Sequence, residues 1–390
     1  MVVKWTVGPP VAENPLLLRG RFEGMRAAVL EAYGEPLEIR EIDPPAADPD
    51  GVVIEVEACG ICRSDWHAWM GHGEWADDRV DLGQILGHEP AGRVVDVGSR
   101  VGTLSVGDRV TVPFNLGDGT CRQCLNGHGN VCKDGFALGF EADAPGAFAE
   151  RMHVPNAAYN AIRLPADVSA ESIAALGCRY ATAFHALAHR ATVGGGDRVA
   201  VHGCGGLGLA AVQIAAALGA IVVAVDVREE PLTMAKTLGA AEGVDASDVE
   251  DVPGAIADRF GEPSSGSRPG PGGVVDVSVD ALGRAETCRN SVRSLRPRGT
   301  HVQLGLTTEA ERGEVTLPID AITRWDVSVL GSRGMPPTRY DELLGMIESG
   351  ALDPDALVTN RVSLADVSDR LAAMTAYETS GVEVVTSFSG

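Results

Sequence analysis

The stretch at residues 198–226, RVAVHGCGGLGLAAVQIAAALGAIVVAVD, decides the fold of this chain. It opens with a β-branched run, passes through a glycine-rich turn into an alanine-rich helical run, and closes with a second β-branched run. Residues 199–225 contain no Asp, Glu, Lys or Arg, but five glycines interrupt them. A membrane-spanning helix needs about 20 consecutive apolar residues. The stretch therefore predicts a strand, a turn, a helix and a second strand, and no membrane span.

The turn at residues 203–208 has the spacing G-x-G-x-x-G. Glycines in this pattern let the backbone approach a pyrophosphate at a helix N-terminus, although a plain glycine-rich turn is the alternative. The second strand ends in Asp226, 23 residues after Gly203. A carboxylate there binds the ribose 2′-hydroxyl of NAD and repels the 2′-phosphate of NADP, whereas Arg228 works against that preference. The predicted coenzyme contacts are Gly203, Gly205, Gly206, Leu207, Gly208, Asp226 and Arg228.

Strand and helix patterns alternate from about residue 180 to 330, which predicts an α/β fold with a doubly wound parallel sheet. From Met25 to about residue 170 the chain is a series of short strands and turns. Residues 1–24 show no secretory signal and are predicted to be a disordered N-terminal extension, or else to result from an upstream start codon. The run GEPSSGSRPGPGG, 261–273, is predicted to be a flexible insertion.

The negative net charge of the chain limits the classes of partner that it can bind. The chain has 54 acidic and 32 basic residues, a net charge of -22, and only three lysines. Such a field repels nucleic acid and anionic membranes, so neither is expected as a partner. Self-repulsion of this size needs screening, which molar salt provides because it shortens the Debye length to about 3 Å. We therefore expect a cytoplasmic protein of a halophile; a GC-rich genome would explain the scarce lysines but not the charge.

A compact cysteine cluster indicates a metal site. The spacing Cys121-x-x-Cys124-x7-Cys132 lies on a loop, and a cytosolic chain keeps such thiols reduced. Three thiolates need a fourth ligand, and Asp118 continues the x-x spacing. The sequence predicts a structural zinc bound by Asp118, Cys121, Cys124 and Cys132. The alternative is a loop that has lost its metal.

Further motifs are scattered along the chain: Cys62 in CGICRSDWH, His88 in GHEPAG, and Cys178 in LGCRYATAFHAL. Together with the cysteine-rich loop and GCGGLG…VD, in this order, they resemble the zinc-dependent medium-chain alcohol dehydrogenases from Met25 to Phe388. The resemblance implies a mainly β GroES-like catalytic domain, residues 25–177 and 335–390, around a Rossmann coenzyme domain, residues 178–334. The active site is then expected in the cleft between them.

The resemblance implies a catalytic zinc bound by Cys62, His88 and Cys178. Cys62 is preferred to Cys59 because it directly precedes the Arg-Ser-Asp triplet that follows the ligand in this family. Glu89 corresponds to an acid that acts beside the metal or as a transient fourth ligand. The remaining implied roles are metal-site orientation by Asp65, a proton relay by Ser64 and His67, a coenzyme phosphate contact by Arg63, and a nicotinamide contact by Thr182.

Two positions depart from the family pattern. Asp118 stands where a fourth cysteine is usual, and Glu383 stands where many members carry a coenzyme-binding arginine. The implied reaction is hydride transfer between an alcohol and NAD, in a homodimer or homotetramer. Aromatic residues at Trp66, Trp69, Trp75 and Phe114 are expected to narrow the pocket for small primary alcohols or aldehydes, unless they serve packing alone. The rival functions are a polyol or sugar dehydrogenase and a non-catalytic binding protein on the same fold.

Overall fold

The computed structural model of the chain describes residues 24–73, 79–261, 273–308 and 310–389. The predictions for the N-terminal extension 1–24 (apart from its last residue), for Trp75 and for the insertion 261–273 (apart from its end residues) lie outside the described residues. No helix in these ranges is both long and apolar enough to cross a bilayer.

Short strands run through the whole described chain and predominate in its first part, as the sequence patterns predict. Within the described residues the strands are β1 (Met25–Leu30), β2 (Glu38–Ile42), β3 (Val52–Ile61), β4 (Gln84–Ile85), β5 (Glu89–Val97), β6 (Arg109–Thr111), β7 (Asn115–Leu116), β8 (Phe136–Ala137), β9 (Arg151–Val154), β10 (Ile162–Arg163), β11 (Arg198–His202), β12 (Ile221–Asp226), β13 (Glu242–Asp245), β14 (Val275–Asp280), β15 (Leu295–Gln303), β16 (Ser328–Gly331), β17 (Val358–Ser363) and β18 (Val382–Ser387).

Helices follow the strands in the second half of the chain. Across the described ranges the α-helices are α1 (Arg63–Trp69), α2 (Arg122–Leu125), α3 (Ala157–Asn160), α4 (Ala170–Ala175), α5 (Ala181–Phe184), α6 (Gly206–Ala217), α7 (Glu229–Thr237), α8 (Val252–Arg259), α9 (Ala285–Arg293), α10 (Ile319–Trp325), α11 (Tyr340–Glu348) and α12 (Val367–Thr375). Two π-helical segments, Leu176–Tyr180 and His185–Arg190, flank α5, and single 3₁₀ turns lie at Gly129–Val131, Pro337–Arg339, Pro354–Leu357 and Leu364–Asp366.

The coenzyme half of the chain is a parallel sheet. Its described strands run in the order β13-β12-β11-β14-β15-β16, which is the doubly wound order 3-2-1-4-5-6. Apolar residues of β11 and β12 such as Val201 and Val222 are fully buried, because helices cover both faces of a parallel sheet. The order reverses between β11 and β14, and ligands bind at this switch point beyond the carboxyl ends of the strands.

The remaining half is built on a second, mainly antiparallel sheet. Its described strands follow the order β10-β6-β5-β3-β18-β17, and β9 also pairs with β3. The last strand of the chain, β18, returns to lie antiparallel to β3, so both ends of the sequence contribute to this sheet. The predicted fold class, a doubly wound α/β sheet joined to a mainly β unit, is confirmed; the residue boundaries of the two domains stay a prediction.

The connection between the two sheets is an irregular helix that the sequence patterns did not predict. Gly177 has φ -21° and ψ -123°, which break the helical path between α4 and α5. A Cβ atom at Gly177 would lie 2.8 Å from Cδ of Glu89, so only glycine fits there. The break brings the segment that carries Cys178 next to Glu89, the first residue of β5.

Candidate active site

A cleft of about 1840 Å³ brings the predicted metal and coenzyme residues together. Cys62 and Cys178 line it together with Gly203, Gly206 and Asp226. These residues come from distant parts of the sequence, and the two sheets meet around them. The cleft is therefore the place where a metal-bound substrate and a dinucleotide could approach each other.

Three potential metal ligands converge in this cleft. Sγ of Cys62, a ring nitrogen of His88 and Sγ of Cys178 all lie within 4.8 Å of one another. Cys62 stands at the junction of β3 and α1, and His88 directly precedes β5. Cys59 belongs to no such group in the described chain, and its thiol donates to the carbonyl of Gly60 at 3.5 Å.

The surroundings of His88 show that the cluster of Cys62, His88 and Cys178 fits a zinc ion. Nδ1 of His88 lies 2.9 Å from Oδ1 of Asp65, a fully buried carboxylate. Asp65 is fixed in turn by the backbone N–H groups of Cys62 and Gly87, which donate to it at 2.9 and 3.0 Å. Nε2 of His88 is buried and has no hydrogen-bond partner among the described residues. Zinc binds such an imidazole nitrogen and two thiolates readily, and a carboxylate on the other ring nitrogen orients the ligand.

The second cluster is confined to one loop. Ligand atoms of Asp118, Cys121, Cys124 and Cys132 lie within 4.8 Å of one another, as the spacing predicts. Oδ1 of Asp118 accepts backbone N–H groups of Cys121 at 2.9 Å and Thr120 at 2.8 Å, which hold the pKa of Asp118 well below its usual range. An ionised carboxylate and three thiols supply the four donor atoms that a tetrahedral structural zinc requires.

The coenzyme turn has the geometry that its glycines predict. Gly203 has φ +91°, in the region that favours glycine. A Cβ atom on Gly208 would collide with the carbonyl of Gly203, so the helix can start close to the strand. Oδ2 of Asp226 accepts the backbone N–H of Cys204 at 2.8 Å, and Oδ1 accepts that of Arg228 at 3.1 Å. The carboxylate is thus held beside the turn.

Comparison with known proteins identifies the family. A family model for the alcohol dehydrogenase GroES-like domain matches residues 48–166, and one for zinc-binding dehydrogenases matches residues 206–349. An alcohol dehydrogenase of Geobacillus stearothermophilus is 33% identical over 350 residues, which cover 89% of this chain and 96% of that relative. This chain belongs to the zinc-dependent medium-chain alcohol dehydrogenase family.

Other relatives of the family differ in substrate. An L-threonine 3-dehydrogenase of Streptomyces coelicolor is 31% identical over 347 residues, covering 88% of this chain and 94% of that one. The structure of alcohol dehydrogenase TADH from Thermus sp. ATN1 gives a TM-score of 0.82 at 27% identity, covering 93% of this chain and 100% of that one. The protein is an oxidoreductase of this medium-chain dehydrogenase family, whose cofactors are zinc and NAD(P).

Glu89, a predicted transient ligand of the catalytic zinc, lies outside the group formed by the other three ligands. Glu89 is fully buried, but its carboxylate is not in the three-residue ligand group. Oε1 of Glu89 accepts from Nε of Arg179 at 3.2 Å and from its backbone N–H at 3.1 Å, and Oε2 accepts from Nη2. In this arrangement Arg179 holds the carboxylate, so Glu89 lies next to the ligand group in sequence but outside it, and its role as a transient fourth ligand stays a prediction.

The residues predicted for proton transfer line the cleft. Oγ of Ser64 lies 3.9 Å from Sγ of Cys62, and Ser64 and His67 both border the cavity. Nδ1 of His67 lies 3.1 Å from Nδ1 of His72, a neighbour that the sequence patterns did not single out. Burial lowers the pKa of His67 to about 4, with further lowering by Arg63 and His72. The imidazole is therefore neutral at physiological pH.

The predicted coenzyme side chains are held by neighbouring backbone. Nη1 of Arg63 donates to the carbonyl of Met374 at 2.5 Å, and its guanidinium lies 3.7 Å from the Trp66 ring centre. Nη1 of Arg228 donates to the carbonyl of Tyr377 at 2.9 Å. Both arginines line the cleft, and so does Thr182, whose Oγ1 accepts the N–H of Gly334 at 3.0 Å.

Glu383, which departs from the family pattern, is also paired within the protein. Its carboxylate accepts from Nε and Nη2 of Arg370 at 3.0 and 2.7 Å. Glu383 is buried and does not line the cleft. The coenzyme-binding arginine that the family resemblance leads us to expect at this position is therefore replaced by a glutamate that pairs with Arg370.

The aromatic residues are only partly where the sequence predicts them. Trp69 is buried in the core, does not line the cleft, and donates from Nε1 to the carbonyl of Glu35 at 2.5 Å, so its predicted role in narrowing the pocket is wrong. Trp66 lines the cleft beneath Arg63. Next to His88 lie Phe114 and Phe140, with ring centres 5.0 Å from the imidazole in both cases. Phe140 gave no signal in the sequence, because it belongs to no motif.

Proposed function

We propose that this protein is a zinc- and NAD-dependent alcohol dehydrogenase that acts on small primary alcohols and the corresponding aldehydes. The observation that carries the proposal is the shared cleft, in which the cluster of three metal ligands, two of them buried, lies with the glycine-rich coenzyme turn. Cys62, His88 and Cys178 would hold the catalytic zinc, and Asp65 would keep the His88 ring oriented.

The chemistry divides between the cofactors and the chain. When bound, zinc draws charge from the substrate oxygen and NAD⁺ accepts the hydride from the substrate carbon. Oxidation of an alcohol also releases a proton from its oxygen, and Ser64 is the hydroxyl placed to accept it beside Cys62. The neutral His67 and its partner His72 form a pair of imidazoles that can pass this proton toward solvent.

The choice of NAD over NADP rests on Asp226. Its side chain is only 10% exposed and is oriented by two backbone N–H groups, so it can accept from both hydroxyls of an adenosine ribose. A 2′-phosphate would meet this negative charge at close range. Arg228 is held by the Tyr377 carbonyl in the same region, so Asp226→Ala should shift the ratio of kcat/KM values toward NADP.

The substrate class rests on the walls next to the metal ligands. Phe114 and Phe140 present ring faces and edges around His88, and an apolar wall of this kind suits a short alkyl chain. One observation favours a polyol instead: Oγ of Ser332 is buried and has no hydrogen-bond partner among the described residues, and Ser332 lines the cleft. A substrate with several hydroxyls could satisfy it.

A screen of substrates and coenzymes tests the proposed function. Zinc-loaded protein is assayed for NADH formation with primary alcohols, secondary alcohols, polyols and L-threonine, with NAD and with NADP. Turnover of small primary alcohols with NAD, unchanged in Ser332→Ala, supports the proposal. Polyol turnover that Ser332→Ala weakens would support the second candidate, and absence of any turnover by folded, fully metallated protein would support a non-catalytic role.

The acidic surface sets the assay conditions. The sequence contains 54 Asp and Glu residues. In the described part of the chain, the buried ones are Asp65, Glu89, Asp280 and Glu383. We propose that the protein is a cytoplasmic homodimer or homotetramer of a halophile. Its thermal midpoint should rise steeply from dilute buffer to multimolar KCl, as salt screens the repulsion. A midpoint that is highest in dilute buffer would contradict the halophile assignment.

A further inference from the structure

Arg179 lies between the metal ligands and the coenzyme turn. It follows Cys178 directly, is 7% exposed and borders the cleft. Its Nε and Nη2 bind the carboxylate of Glu89, the residue after His88. One guanidinium therefore connects the two segments that carry Cys178 and His88.

Glycines on two elements make room for this ion pair. A Cβ atom at Gly60 would lie 3.1 Å from Nη2 of Arg179 and 2.7 Å from the carbonyl of Ala174. A Cβ atom at Gly177 would collide with the side chain of Glu89. Buried charges are stable only where the geometry of the pair is well defined, and these glycines provide the space for it.

The other side of the guanidinium faces the start of α6. A Cβ atom at Gly206 would lie 3.1 Å from Cδ and 3.2 Å from Nη1 of Arg179. Gly206 is the first residue of this twelve-residue helix, where free N–H groups bind pyrophosphate. An arginine has five N–H donors, so binding to Glu89 through Nε and Nη2 leaves Nη1 directed at the turn.

A second polar residue beside the turn has a nitrogen atom that is unpartnered within the described chain. His202 is 1% exposed, ends β11 directly before Gly203 and lines the cleft. Its Nε2 is buried without a hydrogen-bond partner in the described ranges. Arg179 lies near Gly206 and His202 directly precedes Gly203, so both ends of the glycine-rich turn have a polar side chain of the cleft lining beside them.

We propose that Arg179 binds the coenzyme diphosphate at the start of α6 while it holds Glu89. The guanidinium then fixes the coenzyme relative to the Cys178 and His88 segments, which makes Arg179 both a coenzyme contact and a positioning residue. The inference rests on the proposed function. It assigns to Arg179 the coenzyme-binding role of the arginine that is expected at position 383, where this chain has Glu383. Planar guanidinium groups suit this task because they bind phosphate and carboxylate through separate N–H pairs.

Binding of two nucleotides to the zinc-loaded, full-length protein tests the proposal. ADP-ribose contains the diphosphate and AMP does not, and both are titrated calorimetrically in the same salt. In Arg179→Gln, ADP-ribose binding should weaken by about 10- to 100-fold, the range expected for lost charge-assisted hydrogen bonds, while AMP binding changes little. Arg179→Lys should fall between, since it keeps the charge but loses the planar donor pair.

Arg370→Gln is the matched control, because it breaks another arginine–glutamate pair with a buried carboxylate, and neither Arg370 nor Glu383 lines the cleft. It should leave the ratio of ADP-ribose to AMP affinities unchanged. An unchanged ratio in both Arg179→Lys and Arg179→Gln would overturn the proposal, as would a loss of both nucleotides in equal measure. If Arg179→Gln does not fold, Arg179→Lys decides alone by the same ratio.

The outcome is separate from that of the proposed function. Zinc content is measured on every sample, so a purely structural effect of Arg179 would appear as zinc loss with an unchanged affinity ratio and would overturn the proposal. Wild-type protein that binds ADP-ribose but turns over no alcohol would contradict the proposed function alone. If the wild type turns over alcohol but the ratio of ADP-ribose to AMP affinities is unchanged in the Arg179 variants, only the role of Arg179 is contradicted.

Discussion

The two clusters that can hold zinc are built in opposite ways. Asp118, Cys121, Cys124 and Cys132 lie within one loop, and three of the four are partly exposed. Cys62, His88 and Cys178 are separated by up to 116 residues in sequence, and the first two are buried. The loop brings its own ligands together, whereas the cleft site needs the ends of β3 and β5 and the break at Gly177.

Their supporting interactions differ in the same way. In the loop cluster, Asp118 is oriented by N–H groups of its own turn. In the cleft cluster, His88 is oriented by Asp65 from another element, and the neighbouring Glu89 is held by Arg179. We infer that a change in the loop acts locally, whereas a change in the cleft site acts on the reaction.

The largest expected effect separates two neighbouring cysteines. Cys62→Ser should lower kcat/KM by about 10³-fold or more, because a zinc ligand contributes several kcal/mol to stabilising charge at the substrate oxygen. Cys59→Ser should keep most of the activity, since the Cys59 thiol donates to the Gly60 carbonyl and belongs to no ligand group among the described residues. Steady-state kinetics on zinc-loaded samples measures both, and the reverse ranking would show that the wrong cysteine has been assigned.

The next effect tests the orientation of His88. Asp65→Ala should weaken binding of the cleft zinc by about 10- to 100-fold, as is usual when the partner of a ligating histidine is removed. The exposed Asp167→Ala is the control and should have no effect. Competition with a chelator measures the affinity; equal affinities in the two variants would show that Asp65 does not orient the ligand.

A smaller effect is expected from the loop cluster. Asp118→Ala should lower the zinc content by about one ion per chain and reduce the thermal midpoint, while kcat changes less than about tenfold because a structural site takes no part in the reaction. Asp118→Cys restores the four-cysteine set of the family and should retain the metal. Full zinc content in Asp118→Ala would exclude Asp118 as a ligand.

The smallest effect concerns protonation beside the cleft site. The pKa of His67 is about 4 because of burial, Arg63 and His72, whereas an unfolded histidine titrates near pH 6.5. Between these values the unfolded chain binds a proton that the native chain does not, so stability should fall as the pH is lowered from about 6.5 to 4. Asp118, with its lowered pKa, stays ionised throughout this window.

His67→Gln should reduce this loss of stability, although His185 and His202, whose pKa values are lowered in the same direction, leave a part of it. Thermal midpoints of wild type and His67→Gln from pH 7.5 to 4.5 measure the difference. Curves that stay parallel over this range would show that His67 titrates normally in the native protein.

The same contrast explains what the sequence could predict. The loop cluster and the glycine-rich turn have fixed spacings within one segment, so their residues are predictable one by one. The cleft ligands were predicted from the family resemblance, because nothing in their local sequences brings residues 62, 88 and 178 together. The Glu89–Arg179 pair was not predicted, and the sequence left open whether Trp69 packs or narrows the pocket, because both depend on contacts between distant elements.

The most direct test of this account compares Cys62→Ser with Asp118→Ala at equal zinc content. Each variant should retain about one zinc per chain, the first in the loop and the second in the cleft. NADH formation from a primary alcohol is then measured in multimolar salt on both. We predict turnover close to wild type in Asp118→Ala and none above background in Cys62→Ser; equal turnover by the two variants would contradict the assignment of the cleft site as the catalytic centre.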